Sequence, residues 1–162
     1  MKKLLFAVAI ITISTASVNA QDNEMKSNGT TFSIAANIGT GTKTNYSTSY
    51  GADVQAEFPA TTGLKITGSA GYQKFHVKVG NDLSVIPLLA GAKFALGKGL
   101  YGHPQLGYSF LTEKNPAPNS NNGEFSYAAS IGYGFGKNLD LSLKYLSVDV
   151  VNAVLLRLAY NF

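Results

Sequence analysis

Eight segments of this sequence alternate between apolar residues and small or polar residues, and this period of two restricts the fold more than any other feature. In the second segment Tyr50, Val54 and Phe58 share one face, whereas Asp53 and Glu57 share the other. Because successive side chains of a strand point to opposite faces, the alternation predicts β-strands. The predicted strands cover residues 32–38, 50–58, 64–72, 85–96, 100–110, 125–135, 139–145 and 153–162.

Composition removes most other classes of protein. The chain has 162 residues, which suits one domain, and it has no cysteine, so it cannot be a disulfide scaffold. Charged residues make up 14%, against roughly 25% in average soluble domains. The mean hydropathy of +0.06 is far below that of a polytopic helical membrane protein. We also exclude a coiled coil and a disordered chain.

The first twenty residues predict a cleaved signal peptide. Lys2 and Lys3 precede a run of ten apolar residues at 4–13, and the small residues Val18 and Ala20 occupy the −3 and −1 positions of a cleavage site. A spanning helix needs about 20 apolar residues, so an anchor is disfavoured. Removal of the peptide leaves 11 basic residues against nine acidic ones, a balance too small to favour nucleic acid.

After the signal peptide we expect a polar periplasmic tail at 21–29 and a barrel domain at 30–162. Three features favour a membrane barrel over a soluble sandwich or a lipocalin-like barrel. The polar face is rich in small residues, which suit a narrow lumen better than a wet surface. The expected connections are short on one rim and longer on the other, at 39–49, 74–84 and 111–124. The chain also ends on an alternating apolar strand with a terminal aromatic residue, which is typical of an assembly signal. The residues of that signal are Val154, Leu156, Leu158, Tyr160 and Phe162.

The segment IPLLAGAKFALGKGLYGHPQLGYSF, at 86–110, resembles the outer membrane protein β-barrel domain family, the small eight-stranded porin-like barrels of Gram-negative bacteria. The resemblance implies an all-β fold, a closed eight-stranded antiparallel up-and-down transmembrane barrel with both chain ends in the periplasm. It implies no common enzymatic activity. The partners that follow are outer-membrane lipid and lipopolysaccharide, with periplasmic chaperones and the barrel-assembly machinery during biogenesis. We expect a monomer without a cofactor.

The inward faces of the predicted strands carry charges that need partners. Asp53 and Glu57 would lie roughly 13 Å apart along one strand, too far for a pair of glycosidase carboxylates. If Phe58 stands opposite Leu64, Glu57 stands opposite Lys65 and the two form an ion pair. We therefore predict a structural charge network in the lumen. It consists of Asp53, Glu57, Lys65, Lys93, His103, Asp140, Lys144 and Arg157.

No catalytic or metal site is predicted. A neighbouring Lys93 ammonium would favour a neutral His103, and His76 lies in an expected loop. The glycines of 132–136 precede no helix, so they cannot form a phosphate loop. Pro87 and Pro104 conflict with a closed barrel, so we expect either bulges or rim positions there, or shorter fourth and fifth strands.

The favoured function is a structural or surface-interaction role through the extracellular loops, with a side-chain-filled lumen that forms no diffusive channel. The ligand of such loops cannot be identified from the sequence. Two alternatives stay open. A narrow transporter of small hydrophobic molecules is opposed by the polar lumen, and a lipid-A-modifying barrel enzyme is opposed by the missing nucleophile motif.

Overall fold

The computed structural model describes residues 29–43, 46–78, 82–112 and 123–162. Within them the chain forms eight antiparallel strands, each paired with its sequence neighbours, and the last strand pairs with the first to close a barrel. The fold class is therefore confirmed, while the signal peptide lies outside the described residues. The strands are β1 (Thr31–Gly41), β2 (Tyr46–Thr61), β3 (Leu64–Val77), β4 (Leu83–Gly97), β5 (Leu100–Thr112), β6 (Gly123–Phe135), β7 (Leu139–Val148) and β8 (Asn152–Asn161).

The barrel has two different rims. The terminal rim carries the start of β1, the end of β8 and the turns at 62–63, 98–99 and 136–138. The loop rim carries the connections at 42–45, 78–82, 113–122 and 149–151. The strands extend further toward the loop rim than the alternation predicted, so the expected loops 39–49 and 74–84 are partly strand. Most of the expected loop 111–124 lies outside the described residues.

A Gly-Lys-Gly turn between β4 and β5 shows why the terminal rim is tight. Gly97, Lys98 and Gly99 have φ angles of 104°, 50° and 81°. Glycine adopts this left-handed backbone region without steric cost, whereas residues with a Cβ atom, such as Lys98, adopt it rarely. The two glycines therefore allow the chain to reverse its direction between β4 and β5 within a few residues.

The apolar faces of the strands point outward. Side chains such as Phe32, Leu106 and Ile131 are more than half exposed, while their neighbours Ser33 and Gln105 are buried. Monomeric soluble proteins rarely expose apolar patches larger than a few hundred Å², and here the apolar exterior recurs on all eight strands. This inside-out arrangement fits a lipid environment and opposes the soluble alternatives. Among the described residues, no helix is long and apolar enough to cross a membrane.

Pro87 lies within a full-length strand, contrary to both expectations for it. It pairs with Ser109 of β5 without a register shift. The ladder between β3 and β4 skips position 87 and resumes in the same register at Gln73 and Val85. The missing proline N–H is thus accommodated by a local gap in one ladder, with no bulge and no shortened strand.

Pro104 is tolerated in the same way on β5. It pairs with Ala129 of β6, while the ladder between β4 and β5 skips position 104 and resumes at Phe94 and Gly102. Each proline therefore interrupts one of its two ladders and leaves the barrel closed.

The lumen has two layers, whereas the sequence predicts a polar lumen face throughout the barrel. Toward the terminal rim it contains charged side chains. Toward the loop rim it contains a closely packed apolar cluster, called here the apolar plug. The plug consists of Phe75, Leu83, Val85, Leu89, Ala128, Leu146, Val148, Val151, Ala153 and Leu155. The polar prediction is wrong for this half because Phe75, Leu83, Val148 and Val151 lie outside the predicted strands.

Candidate functional site

The charged layer of the lumen is built around the carboxylate of Glu57 on β2. Lys65 Nζ lies 3.0 Å from Glu57 Oε2, and Lys93 Nζ lies 2.9 Å from Glu57 Oε1. Gln55 Nε2 donates a further hydrogen bond of 2.9 Å to Oε1. Glu57 is 2% exposed, so this carboxylate depends on its partners, because an unpaired buried charge is costly.

The ion pair between Glu57 and Lys65 forms, but its register differs from the predicted one. Glu57 stands opposite Thr67, not Lys65, and Phe58 stands opposite Ile66. The turn at 62–63 is tighter than expected and is preceded by an irregularity after Pro59. The long lysine side chain reaches Glu57 diagonally, which preserves the pair despite the shifted register.

Lys93 bridges two carboxylates of the charged layer, Glu57 on β2 and Asp140 on β7. Its Nζ atom also lies 3.0 Å from Asp140 Oδ2 on β7, and it stands 4.0 Å from the centre of the Tyr101 ring. The Tyr101 hydroxyl donates a hydrogen bond to Asp140 Oδ1. Gly132 on β6 makes room for Tyr101, because a Cβ atom built there would overlap the tyrosine hydroxyl.

A second ion pair crosses the seam where the barrel closes. Arg157 on β8 donates from Nε to both oxygens of Asp53 at 3.1 Å and from Nη2 to Oδ1 at 2.8 Å. Asn37 on β1, the strand between them, donates from Nδ2 to Asp53 Oδ2 at 2.8 Å. Arg157 Nη1 also lies 3.9 Å from Asp140 Oδ1, which connects this pair to the layer around Lys93.

His103 lies inside the barrel and contacts a hydroxyl group. Its Nε2 atom is 2.7 Å from Thr67 Oγ1, and the imidazole is 5% exposed. A hydroxyl beside an imidazole is the starting geometry of a nucleophile and its base. This pair is enclosed by the barrel wall, so a lipid or polymer substrate cannot reach it. We assign it a packing role.

Lys144 is the member of the predicted network that has neither an ion pair nor a hydrogen bond with a described residue, whereas His103 bonds to Thr67. Lys144 is 6% exposed. Asp53 and Arg157 act on it through longer-range electrostatics. The other predicted members form the contacts described above, and all eight are buried.

Sequence reasoning missed several partners of the network. Asn37, Gln55, Thr67 and Tyr101 all face inward and all bond to a predicted member. The same alternation that placed the charges also places these residues on the inward face. The strand pattern therefore indicates that these residues face the lumen. It does not distinguish them from the other polar residues of the inward face that bond to no member of the network.

A small polar cluster lies at the loop rim on the outward side of β3. Asp82 Oδ2 is 3.2 Å from Lys74 Nζ, and Asp82 Oδ1 is 3.1 Å from His76 Nδ1. The His76 ring packs on Tyr50 at 5.6 Å between centroids. The hydrogen bond with Lys74 holds the pKa of the Asp82 carboxyl below its usual value. His76 is therefore positioned at the rim together with a lysine and a carboxylate.

The predicted assembly-signal residues occupy the outward side of β8 and the residue after it. Leu156, Leu158, Tyr160 and Phe162 are exposed, with Phe162 at 75%. The Phe162 N–H donates to the Phe32 carbonyl oxygen at 2.8 Å, at the closing seam. Their role in assembly remains a prediction. Within the described ranges, no group of three or more His, Cys, Asp or Glu side chains is arranged to hold a metal ion.

Comparison with known proteins identifies the fold. No protein-family model and no curated protein sequence matches the chain. Ail, the attachment invasion locus protein of Yersinia pestis, has a similar structure at 16% identity, with 82% of this chain and 97% of Ail covered and a TM-score of 0.56. A structure of Ail with the heparin analogue sucrose octasulfate is also similar.

Two further structures support the same fold. The N-terminal β-barrel domain of Pseudomonas aeruginosa OprF is 19% identical, covers 82% of this chain and 97% of its own, and has a TM-score of 0.54. The outer membrane enzyme PagL is 14% identical, covers 80% and 98%, and has a TM-score of 0.50. At these identities the comparisons establish a shared fold and leave the activity open.

Proposed function

We propose that this chain, which has the fold of the small eight-stranded outer-membrane barrels, is a non-catalytic outer-membrane protein that acts through its loop rim. The observation that carries the proposal is the filled lumen. The charged layer and the apolar plug occupy it at two successive levels, so the interior offers no route for solutes and no accessible reaction site. The surface at the loop rim is then the part of the molecule available to a partner.

The outward apolar faces support placement in a membrane, and the short turns support placement of the terminal rim in the periplasm. The proposal includes export by the signal peptide at 1–20 to the outer membrane of a Gram-negative bacterium. Cell fractionation followed by gel electrophoresis of unboiled and boiled samples tests it. We expect outer-membrane fractionation and different migration of the two samples. A periplasmic protein whose migration is unchanged by boiling would contradict the placement.

Lipopolysaccharide is the proposed lipid partner of the loop rim. Lys74 and His76 lie on the outward side of β3, the exposed Lys78 follows the last residue of the strand, and the ring of Tyr72 precedes all three. Aromatic rings flanking the apolar band and cations beyond them suit the level of lipid headgroups, where phosphate groups lie. Lys74→Gln and Lys78→Gln together should weaken binding of the reconstituted protein to lipopolysaccharide. Lys98→Gln at the terminal rim is the matched control, and an equal loss in that variant would contradict the assignment.

A surface-interaction role is supported by the fold shared with Ail, a protein named for attachment and invasion. Since Ail has been studied with a heparin analogue, we propose a sulfated polysaccharide as the first ligand class to test. Intact cells carrying the wild-type chain should bind fluorescent heparin. Replacement of residues 113–122 by a two-residue Asn-Gly turn should reduce the binding. Equal binding by both strains, at equal surface levels, would remove these residues from the proposed surface.

A lipid-A-modifying activity is the second candidate, because PagL shares the fold and His76 pairs with Asp82 at the lipid-facing rim. Lys74 occupies the other oxygen of that carboxylate, which favours a binding cluster over a catalytic dyad. We expect unchanged lipid A in cells that express the chain. Lipid A modification that disappears in His76→Ala and persists in His103→Ala would replace our proposal with an enzymatic one.

A further inference from the structure

A small cavity lies inside the barrel at the boundary between the charged layer and the apolar plug. Its volume is about 10 Å³, close to the least that holds one water molecule. The side lined by the charged layer includes Asn37, Asp53 and Lys144, and the apolar side includes Leu89, Leu146 and Leu155. Ser69 and Gln73 also line the cavity, so its wall combines polar and apolar side chains.

Two of the polar groups that line the cavity have unused hydrogen-bonding capacity. Lys144 Nζ donates to none of the described residues, although the side chain is buried. Asn37 Oδ1 is buried and accepts no hydrogen bond, while the Nδ2 atom of the same amide donates to Asp53. A buried donor or acceptor without a partner costs roughly 1–3 kcal/mol, and more when it is charged. The cavity therefore brings together an ammonium that needs an acceptor and a carbonyl that needs a donor.

We propose that the cavity binds a single water molecule, which accepts a hydrogen bond from Lys144 Nζ and donates one to Asn37 Oδ1. Water is the guest that satisfies both groups, because it donates and accepts at the same time. An anion would meet the Asn37 carbonyl and the Asp53 carboxylate, whereas a cation would meet the Lys144 ammonium. The volume also suits water better than a halide ion.

The bound water gives Lys144 a place in the network. Through Asn37 it connects the ammonium to Asp53, and hence to Arg157. The apolar residues Leu89, Leu146 and Leu155 close the opposite side, so the water does not extend into a chain through the plug. The site lies within the barrel wall and is independent of what the loop rim binds.

A crystal structure of the full chain, with one crystal soaked in bromide, tests the proposal. We expect one density peak within hydrogen-bond distance of Lys144 Nζ and Asn37 Oδ1, without anomalous bromide signal. A bromide peak would identify an anion site and overturn the proposal. Continuous side-chain density from Lys144 to Asp53 without a peak between Lys144 and Asn37 would also overturn it.

Solution NMR of the refolded protein in detergent provides a second measurement. We expect a cross-peak between water and the Asn37 side-chain amide in the wild type. Lys144→Met should remove it, while the matched variant Lys65→Met, which lies in the charged layer away from the cavity, should retain it. A cross-peak that persists in Lys144→Met, or one that is absent from the wild type, would contradict the assignment.

Discussion

Arg157 and Asp53 are 104 residues apart in the chain and form a bidentate ion pair across the strand that closes the barrel. The pair joins β8 to β2 over β1, so its two ends belong to strands that come within reach of each other only when β8 has paired with β1. Both residues are at least 94% buried. The closing seam is therefore held by a backbone ladder and by a charged contact inside the lumen.

We predict that Arg157→Met destabilises the barrel by about 3–5 kcal/mol, because it leaves Asp53 buried without its main partner. The double variant Asp53→Leu, Arg157→Met should recover a large part of that loss. The measurement is urea unfolding of the refolded protein in detergent or lipid. Lys65→Met is the matched control, since Glu57 retains Lys93. A double variant no more stable than Arg157→Met alone would contradict this account of the seam.

Gly132 should tolerate no side chain, since Tyr101 and Ser142 occupy the space where a Cβ atom would lie. We predict that Gly132→Ala lowers the unfolding free energy by about 1–3 kcal/mol through overpacking. Gly134→Ala is the control, because its Cβ atom would come no closer than 3.9 Å to the Gly99 carbonyl oxygen. Equal stabilities of the two variants would show that Tyr101 does not fill the lumen as described.

The apolar plug should contribute strongly to stability. Phe75 is 1% exposed and packs edge-on against Tyr46. We therefore expect Phe75→Ala to cost about 3–5 kcal/mol, as large core truncations do. Phe110→Ala removes an equally large ring from the outward face, where lipid or detergent replaces the lost contacts. The two variants are compared by the same unfolding experiment, and a larger effect at Phe110 would argue that the plug is loosely packed.

The filled lumen predicts that the protein forms no stable channel. Planar-bilayer recordings of the wild type should show no reproducible conductance. Lys93→Met should also remain closed, because the apolar plug lies at a different level from the charged layer and does not depend on this lysine. Conductance in the wild type would show that the lumen is open, and conductance in Lys93→Met alone would show that the plug does not seal.

The sequence was sufficient to predict the strands and their two faces. Period-two alternation depends on local order alone, and it placed Glu57 and Lys65 on the inward side, where they pair. The partners of Asp53 could not be identified in this way, because the choice of Arg157 requires the closure of β8 on β1. The isolation of Lys144 likewise depends on how seven other strands place their charges.

The errors of the prediction have local causes. Phe75, Leu83, Val148 and Val151 lie near the ends of strands or in a connection, beyond the stretches of clear alternation, and their apolar lumen contacts were therefore missed. The register of β3 shifted because a tight turn and an irregularity after Pro59 changed the residue count between strands. Such details depend on turn geometry, which the alternation does not determine.

The central claim is that the apolar faces of the strands contact lipid, and spin labelling tests it most directly. The chain has no cysteine, so Leu106→Cys and Ile131→Cys each provide one labelling site on the outward face, with Lys98→Cys at the terminal rim as control. In reconstituted bilayers we predict that labels at 106 and 131 are relaxed mainly by oxygen, which concentrates in lipid, and the label at 98 mainly by a water-soluble nickel complex. Preferential relaxation of the labels at 106 and 131 by the nickel complex would contradict the account, because it would show that these faces are in water.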